Sequence, residues 1–288
     1  MNLRKLALVT GGAGFIGSNL CEKLLESGMY DVISIDNYST GSKNNHLSGV
    51  TYVEGDTQNI DKLIIKKPDI VYHLGEYSRV EQSFKDLNTV WSSNINGTFE
   101  VIKFCNKVSA KLIYAGSSTK FSDGITNDDL SPYTWTKSKN TELVQNFSKW
   151  FGLEYAITYF YNAYGPKELK CGRHATLIGI FKRLKREGKP LTVVSPGTQV
   201  RNFTHVNDIV NGIFVVGEEG FGDGYGIGSD QTYEILEIAR MFDSQIEMLP
   251  ERPGNRLSAQ LKVEKTKALG WRTSKTLEDY IESFKSTI

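Results

Sequence analysis

Short apolar runs recur along the first 160 residues of the chain, and stretches rich in helix-forming residues separate them. The runs have the length and composition of buried strands, and they lie at Leu6–Thr10, Asp31–Asp36, Ile70–Leu74, Lys111–Ala115 and Tyr155–Phe160. The first helical stretch, Ser18–Gly28, ends at a glycine, as helices often do. Strands that alternate with helices predict βαβ units and a mostly parallel sheet covered by helices on both faces.

This alternation changes after about Gly165. Helices are predicted near Ala175–Glu187 and Tyr233–Phe242 and from Thr276 onward, with a further strand at Leu191–Val194. We therefore expect an α/β fold with a Rossmann-type doubly wound parallel sheet in residues 1–165, to which a segment near 200–217 returns. Residues 166–288 are expected to form mainly a smaller, mixed α/β lobe that binds substrate. Ligands of such sheets lie beyond the carboxyl ends of the strands, so we expect the site in the cleft between the lobes.

The composition narrows the range of partners. The 288 residues include 34 basic and 33 acidic side chains, and a net charge of +1 argues against nucleic acid or a membrane surface as a partner. The basic residues from Lys182 to Lys189 are then best interpreted as a solvated helix face. Cys21, Cys105 and Cys171 are too widely spaced for a disulfide framework or a zinc site, and no metal is expected. Without an apolar run of transmembrane length or a signal-peptide core, the sequence predicts a cytoplasmic protein.

A glycine-rich loop, Gly11-Gly12-Ala13-Gly14-Phe15-Ile16-Gly17, lies between the first predicted strand and the first predicted helix. It contains both the GxGxxG and the GxxGxxG spacing, whose glycines allow a pyrophosphate to approach the amide groups of a helix N-terminus. Asp36 ends the second strand about twenty residues later, where a carboxylate accepts hydrogen bonds from ribose hydroxyls and repels a 2′-phosphate. Together, the loop and Asp36 predict NAD rather than NADP as the cofactor.

Tyr133 and Lys137 form the only Tyr-x-x-x-Lys pair in the chain. The spacing places both side chains on one face of a helix that is predicted to continue to about Trp150. A tyrosine is a poor base at neutral pH, but an ammonium group within about 4 Å stabilises its phenolate. We therefore predict that Tyr133 exchanges a proton with the substrate, assisted by Lys137, which also reaches the nicotinamide ribose. The alternative is a structural tyrosine on an amphipathic helix.

The order of these motifs resembles that of the extended short-chain dehydrogenases, specifically the NAD-dependent nucleotide-sugar epimerase/dehydratase family and, within it, the UDP-hexose 4-epimerases. The resemblance extends over nearly the whole chain. The matching segments are Thr10–Ser18, Asp36–Gly41, Gly55-Asp56, His73–Gly75, Asn94–Thr98, Tyr133–Lys137, Asn162–Pro166, Arg201–Phe203 and Arg252–Gly254.

This resemblance implies roles for particular residues. The residues implied to bind NAD are Gly11, Gly14, Phe15, Ile16, Gly17, Asp36, Asn37, Asp56, Thr57, Leu74, Asn94, Tyr133 and Lys137. The catalytic Ser or Thr of the family falls at Ser117, with Ser118 or Thr119 as alternatives, and acts with Tyr133 and Lys137. The residues implied to contact a nucleotide-diphosphate-sugar substrate are Ser117, Ser118, Asn162, Arg201 and Arg252. Two arginines are well suited to clamp a diphosphate. The resemblance also implies a homodimer formed through the helices near 94–106 and 133–150.

The residues after Ser117 narrow the reaction that the resemblance implies. Family members that eliminate water carry an Asp-Glu pair where this chain has Ser118 and Thr119. Decarboxylating members carry a glutamate in this stretch, and members that isomerise at C3 and C5 carry a cysteine. The remaining reaction is 4-epimerisation, in which C4 is oxidised transiently to a 4-keto sugar and hydride returns to the opposite face. The alternatives are a 4-dehydrogenase or 4-ketoreductase, and a catalytically silent NAD-sensing protein.

Several positions depart from the family pattern and bear on the substrate. Residues 120–122, Lys-Phe-Ser, replace Val-Tyr-Gly, and Lys120 either extends into solvent or faces an acidic sugar group such as a uronate. Glu76 and Tyr77 lie in a loop that usually carries small residues near the sugar. Small residues at Ser258 or Ala259 stand where some 4-epimerases place a bulky aromatic side chain, so we hypothesise a UDP-N-acetylhexosamine substrate.

Overall fold

The computed structural model describes residues 4–118, 131–251 and 261–288. The strands in these ranges are β1 (Lys5–Thr10), β2 (Tyr30–Asp36), β3 (Val50–Glu54), β4 (Ile70–His73), β5 (Lys111–Ser117), β6 (Tyr155–Phe160), β7 (Ala163–Tyr164), β8 (Leu191–Val194), β9 (Val200–Asn202), β10 (Thr204–His205), β11 (Gly222–Ile227), β12 (Thr232–Glu234) and β13 (Ile246–Leu249). The α-helices are α1 (Phe15–Glu26), α2 (Ile60–Leu63), α3 (Leu87–Val90), α4 (Thr98–Val108), α5 (Pro132–Phe151), α6 (Leu177–Arg186), α7 (Val206–Glu219), α8 (Ile235–Met241), α9 (Glu264–Ala268) and α10 (Leu277–Lys285). A π-helical segment, Trp91–Gly97, joins α3 to α4.

Seven strands form one parallel sheet in the order β11-β6-β5-β4-β1-β2-β3. The five strands predicted from the first 160 residues all lie in this sheet, which confirms the Rossmann-type, doubly wound architecture. Two of its strands, β3 and β11, were not predicted. β3 is short and mixes polar with apolar residues, and β11, with the sequence GDGYGI, alternates glycines with other residues and so lacks an apolar run.

Both faces of this sheet are buried. In β1, Ala7 belongs to the core cluster that includes Leu20 of α1 and residues of α7. The next residue, Leu8, belongs to the opposite cluster, which includes Val101 of α4 and residues of α5. Successive side chains of a strand point to opposite faces, so burial on both sides explains why the strands are nearly continuous apolar runs in the sequence.

The chain returns to the large sheet after the first part of the second lobe. α7 packs against α1, and β11 pairs with β6 at the edge of the sheet. The returning segment therefore extends to Ile227, beyond the segment predicted near 200–217.

A separate apolar cluster lies in the second lobe, where α6, α8 and α10 pack around β8. β8 pairs with β13, and β9 pairs with β12 in the antiparallel sense. The helix predicted from Tyr233 begins only at Ile235, because Thr232–Glu234 pairs with β9 instead. Thr176 caps α6, so that helix begins at Leu177 rather than at Ala175.

Candidate active site

The carboxyl ends of β1 and β4 border a cleft at the point where the order of the strands reverses. From β1 the chain continues outward to β2 and β3, and it then returns so that β4 pairs with the other side of β1. A cavity of about 860 Å³ occupies this cleft, and residues of both lobes line it. Such reversals are the usual ligand sites of open parallel sheets.

The glycine-rich loop forms one wall of the cavity. Gly11 has a φ of 72°, a left-handed conformation that glycine adopts without strain. A Cβ atom at Gly17 would overlap the backbone carbonyl of Gly11, so only glycine lets α1 begin this close to the loop. Phe15, Ile16 and Gly17 all line the cavity, which places the unpaired amide groups of the first turn of α1 at its wall. This arrangement fits a pyrophosphate.

Asp36 ends β2 beside the same loop and also lines the cavity. Its carboxylate accepts hydrogen bonds from the backbone N–H of Ala13 at 2.9 Å and of Tyr38 at 2.8 Å. A carboxylate has about four acceptor positions, so capacity remains for a ribose diol. Next to it, the Asn37 side chain donates to Asp56 at 2.7 Å, and both residues line the cavity. The glycine loop and these side chains together fit NAD.

His73, the last residue of β4, is buried between two threonines behind the cavity. The Thr10 hydroxyl accepts from the backbone N–H of Leu74 and Gly75, so it donates to Nδ1 of His73 at 2.8 Å. On the other side, Nε2 of His73 donates to Thr98 at 2.9 Å. Burial lowers the pKa of His73 to about 4, so the imidazole is neutral at physiological pH.

Tyr133 lies in the first turn of α5 and lines the cavity, as does Lys137 one turn later. The Ser131 hydroxyl accepts from the N–H of Thr134, and Pro132 occupies the first helical turn. Both features fix the start of the helix at the edge of the cleft. The structure thus brings the Tyr-Lys pair to the same cavity as the glycine loop.

The ammonium of Lys137 is engaged by a partner that the sequence pattern does not predict. It forms a buried ion pair with Glu76 and donates to the backbone carbonyl of Ala115. The side chains of Lys137 and Glu76 are only 6% and 3% exposed. The prediction that Lys137 assists Tyr133 did not include this carboxylate partner.

Glu76 is held by three further hydrogen bonds. Thr98 donates to it at 2.7 Å, Asn140 at 2.9 Å and Tyr114 at 3.1 Å. Burial by itself raises the pKa of Glu76, but Lys137 and the other partners outweigh it and hold the pKa below its usual range. Glu76 is therefore an ionised carboxylate inside the site. The family resemblance implied a small residue in this loop, and that departure was the only signal in the sequence.

Asn94, Ser117 and Ser118 do not line the cavity, whereas the other described residues of the predicted site do. The buried side chain of Asn94 accepts from the N–H of Tyr77 at 2.7 Å and donates to Thr136 at 3.1 Å, so it supports the loop after β4 and helix α5. Ser117 and Ser118 directly follow Gly116, which does line the cavity.

The second lobe contributes the far wall of the cavity. Asn162 and Arg201 both line it, and the Asn162 amide donates to the carbonyl of Asn202 at 2.8 Å. The structure therefore brings together the glycine loop, the Tyr-Lys pair and these two predicted substrate contacts. The remaining predicted positions, Thr119, Lys120, Phe121, Ser122, Arg252, Ser258 and Ala259, lie outside the described residues.

Two further residues that line the cavity, Arg79 and His174, were not predicted. Arg79, from the loop after β4, donates through Nη2 to the carbonyl of His174, from the loop after β7, and more weakly to that of Ala175 at 3.4 Å. Both Arg79 and His174 line the cavity. Their contact joins loops that are 95 residues apart, which explains why no local motif revealed it.

Among residues 4–118, 131–251 and 261–288, no group of His, Cys, Asp and Glu is arranged to hold a metal ion. Within these ranges, none of the helices has both the length and the apolar character that crossing a bilayer requires.

The structure combines a Rossmann-type sheet with a glycine-rich loop, an acidic residue at the end of β2 and a Tyr-Lys pair on one cavity. These features define a nucleotide-dependent α/β enzyme of the short-chain dehydrogenase type. The chain belongs to the NAD dependent epimerase/dehydratase family, whose model matches residues 7–228. It is therefore an enzyme of this nucleotide-sugar family with NAD as its cofactor, and the family and cofactor predictions are confirmed.

The proteins similar to this chain are named for more than one reaction. The chain is 29% identical to a putative UDP-glucose 4-epimerase of Methanocaldococcus jannaschii over 96% of both chains. It is 27% identical to UDP-glucuronic acid decarboxylase 6 of Arabidopsis thaliana over 94% of this chain and 85% of the relative. The structure of a UDP-glucose 4-epimerase of Thermotoga maritima with UDP-glucose matches with a TM-score of 0.89 at 25% identity and covers 98% of this chain and 99% of that one. The family assignment alone does not choose between these reactions.

Proposed function

We propose that the protein is an NAD-dependent nucleotide-sugar 4-epimerase. The observation that carries this proposal is the position of Tyr133, which lines the same cavity as the glycine loop, Lys137 and the ribose-side carboxylate Asp36. Bound NAD supplies the hydride acceptor for oxidation at C4 of the sugar and then the hydride donor for reduction on its other face. The protein therefore has to bind the sugar so that the 4-keto ring can present its opposite face to the cofactor, and it has to move one proton.

Tyr133 is the residue that exchanges the proton of the C4 hydroxyl. It lies in the first turn of α5, whose capped start fixes it at the mouth of the cleft. In this proposal Ser117, at the end of β5, hydrogen-bonds the same sugar oxygen and shares its proton with Tyr133. Lys137 holds the nicotinamide ribose. Asn162, Arg201 and Arg252 bind the diphosphate, and the adenosine side of NAD lies against Asp36, Asn37 and Asp56.

The choice of epimerisation rests on the absence of an acid where elimination needs one. Ser118 and Thr119 occupy the positions of the Asp-Glu pair that water-eliminating members carry. Glu76 does not replace that pair, because it is buried and held ionised by Lys137. Epimerisation requires only a single proton exchange at the C4 oxygen, which Tyr133 supplies.

The test is incubation with a panel of UDP-, GDP-, CDP- and dTDP-sugars in deuterium oxide, followed by mass spectrometry and NMR of the products. We expect a C4 isomer without solvent deuterium and without accumulation of NADH. Loss of water or of carbon dioxide, deuterium at C3 or C5, or stoichiometric NADH contradicts the proposal, and the last result identifies the dehydrogenase alternative.

The variant Tyr133→Phe should lower turnover by about 10²- to 10⁴-fold, the usual contribution of a positioned acid–base group. The matched control is Tyr155→Phe, because Tyr155 is also a partly buried tyrosine but does not line the cavity. A protein that only senses NAD would show no turnover of any sugar, and Tyr133→Phe would leave its NAD affinity unchanged.

We further propose that UDP-N-acetylhexosamines are preferred over unacetylated sugars, because the sequence has small residues, Ser258 and Ala259, where the resemblance implies a bulky aromatic side chain in some 4-epimerases. Equal or better use of UDP-glucose than of UDP-N-acetylglucosamine rejects this preference.

We also propose that the protein is a homodimer through α4 and α5. Three large aromatic side chains on these helices, Phe99, Trp150 and Phe151, are exposed to solvent. They surround Phe147, which makes ring contacts with all three. Exposed apolar surface of this kind is typical of an interface, and a second copy related by a two-fold axis presents the same surface.

A further inference from the structure

We propose that Arg79 and His174 form a subsite for a carboxylate group carried by the sugar of the substrate. The inference rests on the proposed function, because it places the sugar beside Tyr133, and it adds the chemical class of the sugar.

The two residues lie at the end of the cavity where Tyr133 lies. All three line it, and the charge of Arg79 interacts electrostatically with Tyr133. Arg79 comes from the first lobe and His174 from the second, and the Nη2 group of Arg79 donates to the backbone carbonyl of His174. The subsite is therefore built by both lobes across the cleft, next to the residue that acts on the C4 hydroxyl.

Each of the two side chains has a buried nitrogen without a hydrogen-bond partner in the described part of the chain. These atoms are Nε of Arg79 and Nδ1 of His174. Buried polar atoms in native proteins are nearly always paired, and one that is left unpaired costs about 1–3 kcal/mol. Two such atoms on neighbouring side chains that line one cavity indicate a ligand that accepts a hydrogen bond from Nε of Arg79 and, with His174 in the Nδ1–H tautomer, a second one from Nδ1.

Arg79 forms no ion pair with any residue that the structure describes, although two carboxylates, Asp86 and Glu76, line the same cavity. Asp86 accepts from the Tyr77 hydroxyl at 2.8 Å and pairs with Arg173 at 3.3 Å. Glu76 pairs with Lys137. Burial lowers the pKa of Arg79, and burial together with Arg79 lowers the pKa of His174. Among the described residues, the buried positive charge of Arg79 therefore has no counter-ion, and binding of an anion would remove the energetic cost of burying it.

A carboxylate is the anion that fits this position. The diphosphate of the substrate is assigned to Asn162 and Arg201 on the second lobe, so the anion beside Tyr133 belongs to the sugar. A guanidinium presents parallel N–H donors that match the two oxygens of a carboxylate. Two positions of a hexose carry such a group in nucleotide sugars: C6, in a uronate, and C3, through a lactyl ether. Both present the same chemistry to Arg79, and a substrate panel separates them.

The experiment compares three purified proteins: the wild type, Arg79→Gln and Arg173→Gln. Arg173 is the matched control, because it lies next to His174 but its side chain is 66% exposed. The probes are UDP-glucuronate, UDP-N-acetylmuramate and the neutral UDP-N-acetylglucosamine. Binding is measured by calorimetry on the NAD-loaded protein, and kcat/KM is measured for each probe. Thermal unfolding checks that each variant is folded.

We expect the wild type to prefer one carboxylate-bearing sugar. In Arg79→Gln, the ratio of its affinity to that of the neutral sugar should fall by about 10- to 100-fold, the value of one charged hydrogen bond. Arg173→Gln should leave the ratio unchanged, and Arg79→Lys should restore part of it. The preferred probe, UDP-glucuronate or UDP-N-acetylmuramate, identifies the position of the carboxylate.

A wild type that prefers the neutral sugar, or an Arg79→Gln variant that weakens all three probes equally, overturns the inference while the proposed function stands. In the second case Arg79 acts on Tyr133 or only joins the lobes. If neither these probes nor the wider panel of UDP-, GDP-, CDP- and dTDP-sugars is turned over but carboxylate binding still depends on Arg79, the proposed function fails and the subsite remains. If neither turnover nor Arg79-dependent binding is found, both fail.

Discussion

Replacing Glu76 by glutamine should destabilise the protein strongly, because it leaves the Lys137 ammonium buried without a counter-charge. The substitution keeps the shape of the side chain and removes only its charge. The pair is withdrawn from water, with 6% exposure for Lys137 and 3% for Glu76. Breaking a buried pair from one side costs about 3–5 kcal/mol. Native proteins are stable by only about 5–15 kcal/mol, so the loss is a large fraction of the total.

The assay is urea unfolding of the NAD-free protein at pH 7, followed by far-UV circular dichroism. We expect a lower midpoint with an unchanged m-value, which identifies a change in stability rather than in compactness. The matched control is Glu142→Gln. Glu142 pairs with Lys139 on the surface of α5, where the side chains are 60% and 47% exposed. That variant should lose less than about 1 kcal/mol.

A double-mutant cycle completes the test. Adding Lys137→Met to Glu76→Gln removes the unpaired charge, so the double variant should be more stable than Glu76→Gln alone. The ion pair does not stabilise the site if Glu76→Gln lowers the free energy of unfolding no more than Glu142→Gln does. The same conclusion follows if the double variant is less stable than Glu76→Gln alone.

Three further predictions concern acid stability, cofactor choice and assembly. Burial lowers the pKa of His73 to about 4 in the folded protein, whereas an unfolded histidine has a pKa near 6.5. The free energy of unfolding should therefore fall by about 1.4 kcal/mol per pH unit as the pH drops from 6.5 to 4. Urea unfolding of the wild type and of His73→Gln between pH 7 and pH 4 checks this. The variant should lose less stability per pH unit than the wild type, and equal losses in the two proteins contradict the prediction. Asp36→Asn should weaken NAD binding by about 10-fold and raise the NADP/NAD affinity ratio in fluorescence titrations. Asp31→Asn, on the exposed part of the same strand, should change neither. Trp150→Glu should convert a dimer into a monomer in light scattering, whereas the equally exposed Phe221 should tolerate the same change; a wild type that is already monomeric contradicts the proposed interface.

The features that the sequence predicts well depend on short spacings. The glycine loop and Asp36 are set by one βαβ unit, and Tyr133 and Lys137 by one helical turn. In each case the local pattern places the side chains, because the strand or helix around them is strongly specified by its apolar residues. The structure brings all of them to one cavity, as the reversal of the strand order requires.

The features that the sequence does not predict depend on contacts between distant segments. Glu76 meets Lys137 across 61 residues, and Arg79 meets His174 across 95. No periodicity specifies such pairs, since they follow from how β4 and the second lobe are placed around the cleft. β11 was missed for a related reason. Its alternate glycines carry no strand signal, and pairing with β6 decides its conformation.

The placement of charge around Tyr133 follows from these long-range contacts and changes how the site must be understood. A Tyr-Lys pair considered alone suggests that the ammonium provides the positive field for proton transfer. In the structure, Glu76 forms an ion pair with that ammonium, and Arg79 lines the cavity without a carboxylate partner among the described residues. In the proposed function the glycine loop and Tyr133 bind the cofactor and move the proton, whereas Glu76 and Arg79 are the charged side chains proposed to set the electrostatics around the sugar. Substrate choice should accordingly respond to changes at Arg79 more than to changes in the glycine loop.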